Sequence, residues 1–202
     1  MGLFQDSTEI LNSPTQSFGP VRPGDIRYED LNGDGVINNN DRRNIGNGSA
    51  RFQYGLNLRV SFKGFELFAL GTGQTGQSRY LNSPYFWVFG DRPYSEVVRD
   101  SWTPATASTA SYPRLTSTNN GNNFRNSTYW LRSNNGFRLN AVQLTYYLPT
   151  SVVSKLNLEK LGIYVLGTNL LDISAQTQLR TLNVGSSPQM RNVAAGLRVY
   201  FQ

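Results

Sequence analysis

The sharpest chemical signal in the sequence is a run of oxygen-bearing side chains at short intervals: Asp30, Asn32, Asp34, Asn38 and Asp41, with Gly33 and Gly35 between them. Counted from Asp30, the run has Asp at position 1, Asn at 3, Asp at 5, Gly at 6, Ile at 8 and Asp at 12. That is the spacing of an EF-hand loop. A hard cation such as Ca2+ takes roughly six to eight oxygen ligands, and this spacing wraps Asp30, Asn32 and Asp34 around one ion. The backbone carbonyl of Val36 is the expected next ligand, Asn38 binds directly or through water, and Asp41 closes the loop with a shorter arm than the usual Glu, as in dockerin-type loops. No flanking helices are read on either side, so the expected role is a structural Ca2+ and not a sensor. The same residues also suit a Gly/Asn-rich turn that holds no ion.

Other chemistry is largely excluded. The chain has no Cys and no His, which removes disulfides, thiolate metal sites and any Ser-His-Asp triad. An enzyme would need carboxylates alone, and pairs such as Asp91 and Glu96 read as solvated loop acids, so no catalytic residue is assigned. Aromatics crowd one long segment: Tyr80, Tyr85, Phe86, Trp87, Phe89, Tyr94, Trp102 and Tyr112. Flat rings can stack on sugars, and Arg92, Arg99 and Arg114 could take acidic groups. The Pro-Tyr and Trp-Thr-Pro contexts favour the plainer reading, in which these rings pack the loop on itself or against a partner. The net charge of +6 is spread along the chain with no basic run, so nucleic acid is not an expected partner.

The elements that carry these loops show a period of two. From 52 to 62, Phe52, Tyr54, Leu56, Leu58, Val60 and Phe62 alternate with Gln53, Gly55, Asn57, Arg59 and Ser61. One face is apolar and the other polar, over the ~9–11 residues that a lipid-exposed barrel strand needs. Lys63-Gly64 reads as a tight turn, and Phe65–Leu70 runs back. Further strands are expected over Val142–Leu148, over Leu161–Asn169 with a helical connection at Ser151–Leu161, and over the aromatic-rich segment Val193–Phe201. A phase shift at Phe137 and Leu139 reads as a β-bulge.

About five strands follow, joined alternately by short and long connections. The short ones are Lys63-Gly64 and Pro149–Lys160, which hold all three lysines; the long ones are roughly 60 residues from Gly71 to Gly136 and about 20 from Asp172 to Arg191. Short turns on one side and long loops on the other mark an outer-membrane barrel. No apolar run reaches the ~18–20 residues of a spanning helix, and the first residues lack the pattern of a signal peptide. With an odd strand count, the chain is read as incomplete.

Several further stretches, taken in order, resemble the SusC/RagA family of TonB-linked outer-membrane proteins. They are Gly2-Leu3-Phe4-Gln5, Pro23-Gly24-Asp25-Ile26-Arg27-Tyr28-Glu29-Asp30 running into Asn32-Gly33-Asp34-Gly35, Ile45-Gly46-Asn47, Tyr54-Gly55-Leu56-Asn57, Lys63-Gly64-Phe65-Glu66-Leu67, Trp102-Thr103-Pro104, Tyr112-Pro113-Arg114-Leu115, Tyr129-Trp130-Leu131-Arg132, Leu144–Pro149 and Gly167-Thr168-Asn169-Leu170. The resemblance implies a barrel of about 22 strands with an N-terminal plug, to which this chain contributes roughly the last five strands. It implies import of glycans or peptides, a SusD-like surface lipoprotein as lid, and TonB acting through an N-terminal part not present here.

The expected fold class is therefore all-β: C-terminal antiparallel strands of a transmembrane β-barrel with long extracellular loops, in the lipid of the cell outer membrane. Residues 1–50 are read as an extracellular loop region carrying the Ca2+ loop 30–41, and 51–202 as barrel strands and loops. The competing reading is a soluble Ca2+-dependent carbohydrate-binding β-sandwich, which requires short strands whose apolar faces meet in one core.

Overall fold

The computed structural model describes residues 2–177 and 187–201. The chain divides into two compact units that interleave in sequence: residues 1–46 with 79–132, and residues 47–78 with 133–202. The division follows packing in space, so the segment 79–132 groups with the N-terminal residues.

The second unit is a five-stranded antiparallel sheet of β3 (Phe52–Phe62), β4 (Phe65–Thr75), β7 (Gly136–Tyr147), β8 (Leu158–Ile173) and β9 (Asn192–Phe201), in that spatial order. Its hairpin turn places Lys63 at φ 45° and Gly64 at φ 85°. Two consecutive positive φ values make the type I′ turn whose twist matches the flanking strands. Directly opposed residues share a face, so the register fixes the composition of each side. One row runs Phe62, Phe65, Tyr146, Ile163, Leu197; the next runs Val60, Leu67, Leu144, Val165, Ala195. The opposite face carries Ser61, Glu66, Thr145 and Tyr164 in one row, and Arg138 beside Asp172 in another.

The apolar face is not covered by the chain. Every residue of β3 is exposed, and so are Phe65, Leu67, Leu144, Ile163, Val165 and Leu197. A sandwich would have buried these side chains against a second sheet. The strands are also long, ten to sixteen residues, against the roughly 5–6 of globular strands. Both features go against the β-sandwich alternative. The sheet is open, with β3 and β9 at its edges, and no helix among the described residues is long and apolar enough to cross a membrane.

The structure refines the strand limits. β4 continues past Leu70 to Thr75, through Gly71, Thr72 and Gly73. The glycines break the apolar alternation but not the ladder, because aromatic rings from neighbouring strands fill their places: a Cβ on Gly71 would stand 2.2 Å from Phe137 Cζ, and one on Gly73 would stand 2.2 Å from Tyr54 Cζ. The helical connection is shorter than the expected Ser151–Leu161. It comprises α2 (Thr150–Val153) and a 3-10 turn (Ser154–Leu156), and Asn157 at φ 52° stops it as a left-handed cap. β8 then starts at Leu158, so Lys160 stands inside a strand and not in the connection. The phase shift in β7 is a bulge: Asn140 has no cross-strand partner while both neighbouring registers slip. Part of the expected long connection 172–191 lies outside the described residues.

The first unit has little regular structure. It contains α1 (Ser7–Leu11), the two-residue parallel pair β1 (Thr15–Gln16) and β2 (Val36–Ile37), and a 3-10 turn at Glu96–Asp100. A short ladder pairs β5 (Ser78–Tyr80) with β6 (Leu131–Ser133). Leu3, Phe4, Ile26, Ile37, Phe86, Val88, Tyr112, Phe124 and Trp130 are buried and form its core.

Candidate functional site

Two glycines let the loop 30–41 fold tightly on itself. Gly33 (φ 76°) and Gly35 (φ 81°) take left-handed backbone that a side chain would strain. Asp30 then accepts hydrogen bonds from both, Gly33 N at 2.7 Å and Gly35 N at 2.8 Å. Asn32 Oδ1 accepts from Asp34 N at 3.0 Å, Asp34 Oδ1 from Val36 N at 2.8 Å, and Asn38 Oδ1 from Asn40 N at 2.7 Å. Asp41 ties the ends together, accepting from Leu31 N at 2.8 Å and from Asn38 N at 2.7 Å. These N–H donors hold the Asp41 carboxyl below the ordinary carboxylate value, Asn38 most of all, with Leu31, Asn32 and the side chain of Asp30 adding to it. Ile37, buried in β2, anchors the loop to the core.

The sequence-predicted ligands thus gather in one exposed loop. Its donors are all oxygens, three of the side chains are carboxylates, and the Val36 carbonyl lies beside Asn38 Nδ2 at 3.3 Å. This set suits a hard cation. Among the described residues, however, no three acidic side chains converge as a ready-made cluster, and Asn32 Nδ2 is turned onto Asp34 Oδ2 at 2.9 Å.

The loop is mounted on a buried polar hub that sequence reading missed. Asp25 is fully buried. It accepts from Asn123 Nδ2 at 2.8 Å, Asn120 Nδ2 at 3.2 Å, Arg22 N at 2.8 Å and Arg114 Nη2 at 3.3 Å, with Arg114 Nε also 2.7 Å away. Beside it, Gln16 Nε2 donates to Asn122 Oδ1 at 2.6 Å, and Asn122 Nδ2 donates to the Ile26 carbonyl at 3.0 Å. Buried amides and carboxylates of this kind persist only when paired. The one available signal was the density of Asn in Asn119–Asn123, which reads equally as a solvated turn.

Most of the loop aromatics are structural. Tyr112 Oη donates to the Phe86 carbonyl at 2.8 Å and accepts from Val88 N at 3.1 Å. Trp102 packs over Gly24, where a Cβ would stand 2.5 Å from the ring. Arg114 serves Asp25, and Arg92 lies 4.0 Å from the centre of the Phe89 ring and donates to the Trp87 carbonyl at 2.6 Å. Asp91 and Glu96 are exposed, as expected for solvated acids.

No protein-family model matches the chain. It is 27% identical over 220 residues to TonB-dependent receptor P26 of Formosa agariphila, a match covering 100% of this chain and 22% of that receptor. It is 25% identical over 218 residues to TonB-dependent receptor P3 of the same organism, covering 99% of this chain and 21% of that one. Among solved structures, the RagAB peptide importer in its open-open state superposes with a TM-score of 0.59 at 23% identity, over 77% of this chain and 18% of its counterpart. The RagAB peptide transporter gives 0.55 at 25% identity, over 72% and 16%. By sequence and by fold, the likeness is to TonB-dependent receptors. The SusC/RagA-type resemblance read from the motifs is borne out, and these relatives are receptors and an importer, not enzymes. This TonB-dependent-receptor-like chain spans about a fifth of the length of the curated relatives it matches.

Proposed function

We propose that the chain supplies a stretch of barrel wall and outer loops to a TonB-dependent outer-membrane transporter that imports glycans or peptides. The observation that carries this reading is the uncovered apolar face of the five-stranded sheet and its banding. Phe62, Phe65 and Tyr146 lie at the hairpin end, and Phe52, Tyr54 and Phe137 lie at the other, with Leu, Val and Ile between. From Tyr54 to Phe62 the strand rises ~27 Å at ~3.4 Å per residue. With a tilt of ~40° this spans ~21 Å, close to the ~25 Å apolar band between aromatic girdles of a barrel.

In this reading β3 and β9 meet further strands of a closed barrel, the apolar face meets lipid, and the long connections face outward toward a SusD-like lipoprotein. TonB engages a part of the receptor outside this chain. The loop 30–41 holds a structural Ca2+ through Asp30, Asn32, Asp34, Asn38, Asp41 and the Val36 carbonyl, and the ion supplies positive charge that stiffens an otherwise self-bonded turn. The deciding measurement is the mass of the endogenous protein bearing these peptides in an outer-membrane fraction. A species several times heavier than 22.6 kDa that co-purifies with a lipoprotein is the expected result. A soluble species of that mass would overturn the proposal.

A further inference from the structure

The first unit forms an open cleft of about 670 Å3 that no motif announced. Its wall carries four arginines, Arg27, Arg42, Arg43 and Arg125, against two acids, Glu29 and Asp41. Arg27 is already paired with Glu9, and Arg43 reaches Glu29 only at 4.0 Å. Among the described residues, neither Arg42 nor Arg125 forms an ion pair. Burial lowers the proton affinity of Arg125, with Tyr28 opposing the shift and Arg42 adding to it. The wall therefore holds two guanidinium groups that form no ion pair, alongside Glu29 and Asp41.

The same wall contains three buried polar atoms without partners, the donors Arg125 Nη1 and Trp87 Nε1 and the hydroxyl of Ser127. Buried donors in native proteins are almost always satisfied, so orphans that share one cavity wall mark a place where an acceptor belongs. The wall also carries aromatic rings: the Arg125 guanidinium stacks 3.2 Å from the centre of the Phe18 ring, and Tyr28, Trp87 and Tyr129 line the same cavity beside aliphatic and amide side chains. The volume falls within the ~300–1,000 Å3 of small-molecule sites.

We propose that this cavity binds an acidic saccharide of one or two rings, its carboxylate or sulfate seated near Arg42 and Arg125 and its ring face against the aromatic wall. Paired guanidinium donors are the usual partners of such oxyanions. Flat rings suit a sugar face, and the N–H donors suit its hydroxyl oxygens. The proposal rests on the transporter reading only for the sugar's role as cargo; binding itself does not depend on it.

The test is calorimetric titration of the endogenous protein that bears this chain, purified in detergent, with digalacturonate, a neutral disaccharide and triglutamate. Saturable binding of digalacturonate alone is expected. Arg125→Gln and Trp87→Phe are expected to weaken it by about 10- to 100-fold and severalfold respectively, since a hydrogen bond to a charged group is worth about 1.5–3 kcal/mol. Arg99→Gln, exposed and outside the cavity, leaves binding unchanged. Circular dichroism of each variant separates lost binding from lost fold, and Trp87→Phe retains the ring where Arg125→Gln fails to fold. Equal binding of the neutral sugar, preference for triglutamate, or affinity unaltered in both folded cavity variants overturns the proposal. Each of these outcomes leaves the mass of the endogenous membrane protein, and hence the transporter reading, untouched.

Discussion

Asp25 Oδ1 stands 2.7 Å from Arg114 Nε, and the carboxylate is fully buried. The pair joins residues 89 positions apart, so it is one of the contacts that give the first unit a tertiary fold in the near absence of secondary structure. Removing one partner of a buried ion pair costs about 3–5 kcal/mol, because the other charge and its neighbours are left unpaired. Asp25→Ala is therefore expected to unfold the loop unit at much lower denaturant. Near-UV circular dichroism, which reports on Trp102 and Trp130, measures it; a midpoint unchanged from the parent chain would contradict this assignment.

Tyr54 lies over Gly73 on the neighbouring strand. Gly73→Ala forces that ring aside, since a Cβ cannot stand 2.2 Å from Cζ, and overpacking of this kind costs about 1–3 kcal/mol. Tyr54→Ala should relieve the clash. A double-mutant cycle that gives a coupling above roughly 0.5 kcal/mol would support the contact, and strict additivity would exclude it.

Leu58 and Asn57 are sequence neighbours on opposite faces of β3. If the apolar face meets lipid, Leu58→Arg costs about 2–4 kcal/mol near the bilayer midplane, whereas Asn57→Arg on the polar face is tolerated. Folding into detergent or liposomes, followed by heat-modified gel mobility, distinguishes them. Equal tolerance at the two positions would argue against lipid contact.

Cation binding to the loop 30–41 is open to direct assay by terbium luminescence and by melting with and without chelator. Saturating Ca2+ at about a hundredfold above Kd would stabilise the folded state by about 2.7 kcal/mol. Asp30→Asn together with Asp34→Asn should abolish both the luminescence and the chelator-sensitive shift in Tm. Melting that ignores both Ca2+ and chelator would leave the loop as a self-bonded turn.

Tyr28 supplies a pH dependence of definite sign. Burial pushes its phenol up to about 12, partly opposed by Ser127 and by the charge of Arg125, while its hydroxyl donates to the Asn122 carbonyl at 2.6 Å. A raised folded-state value means that the folded form keeps a proton the unfolded form has lost. The contribution of Tyr28 is thus complete below pH 10 and falls away between about pH 10 and 12. Stability measured across that range should decline less steeply in Tyr28→Phe than in the parent chain.

The strands were legible because an apolar face and a polar face impose a period of two. Phe52–Phe62 shows it without interruption, and the hairpin at Lys63-Gly64 announces itself through the glycine its second position requires. Legibility failed where one residue answered to a neighbour in space. Gly71 and Gly73 look like breaks until Phe137 and Tyr54 are seen to occupy their side-chain volume. The loop 30–41 was legible because its spacing is local. The Asp25 hub and the cavity around Arg125 were not, since their partners lie about a hundred residues apart in the chain and no spacing rule links them.

β4 ends and β7 begins side by side, with Gln74 paired to Gly136. The excursion of residues 76–135 therefore leaves the sheet and re-enters it at adjacent ladder positions, so its length and content impose no register on the strands. Doubling such a loop costs only about 0.6 kcal/mol in closure entropy, far less than a single lost pair of core contacts. The sheet can thus stay constant while the excursion is rewritten, so the two can change independently of each other.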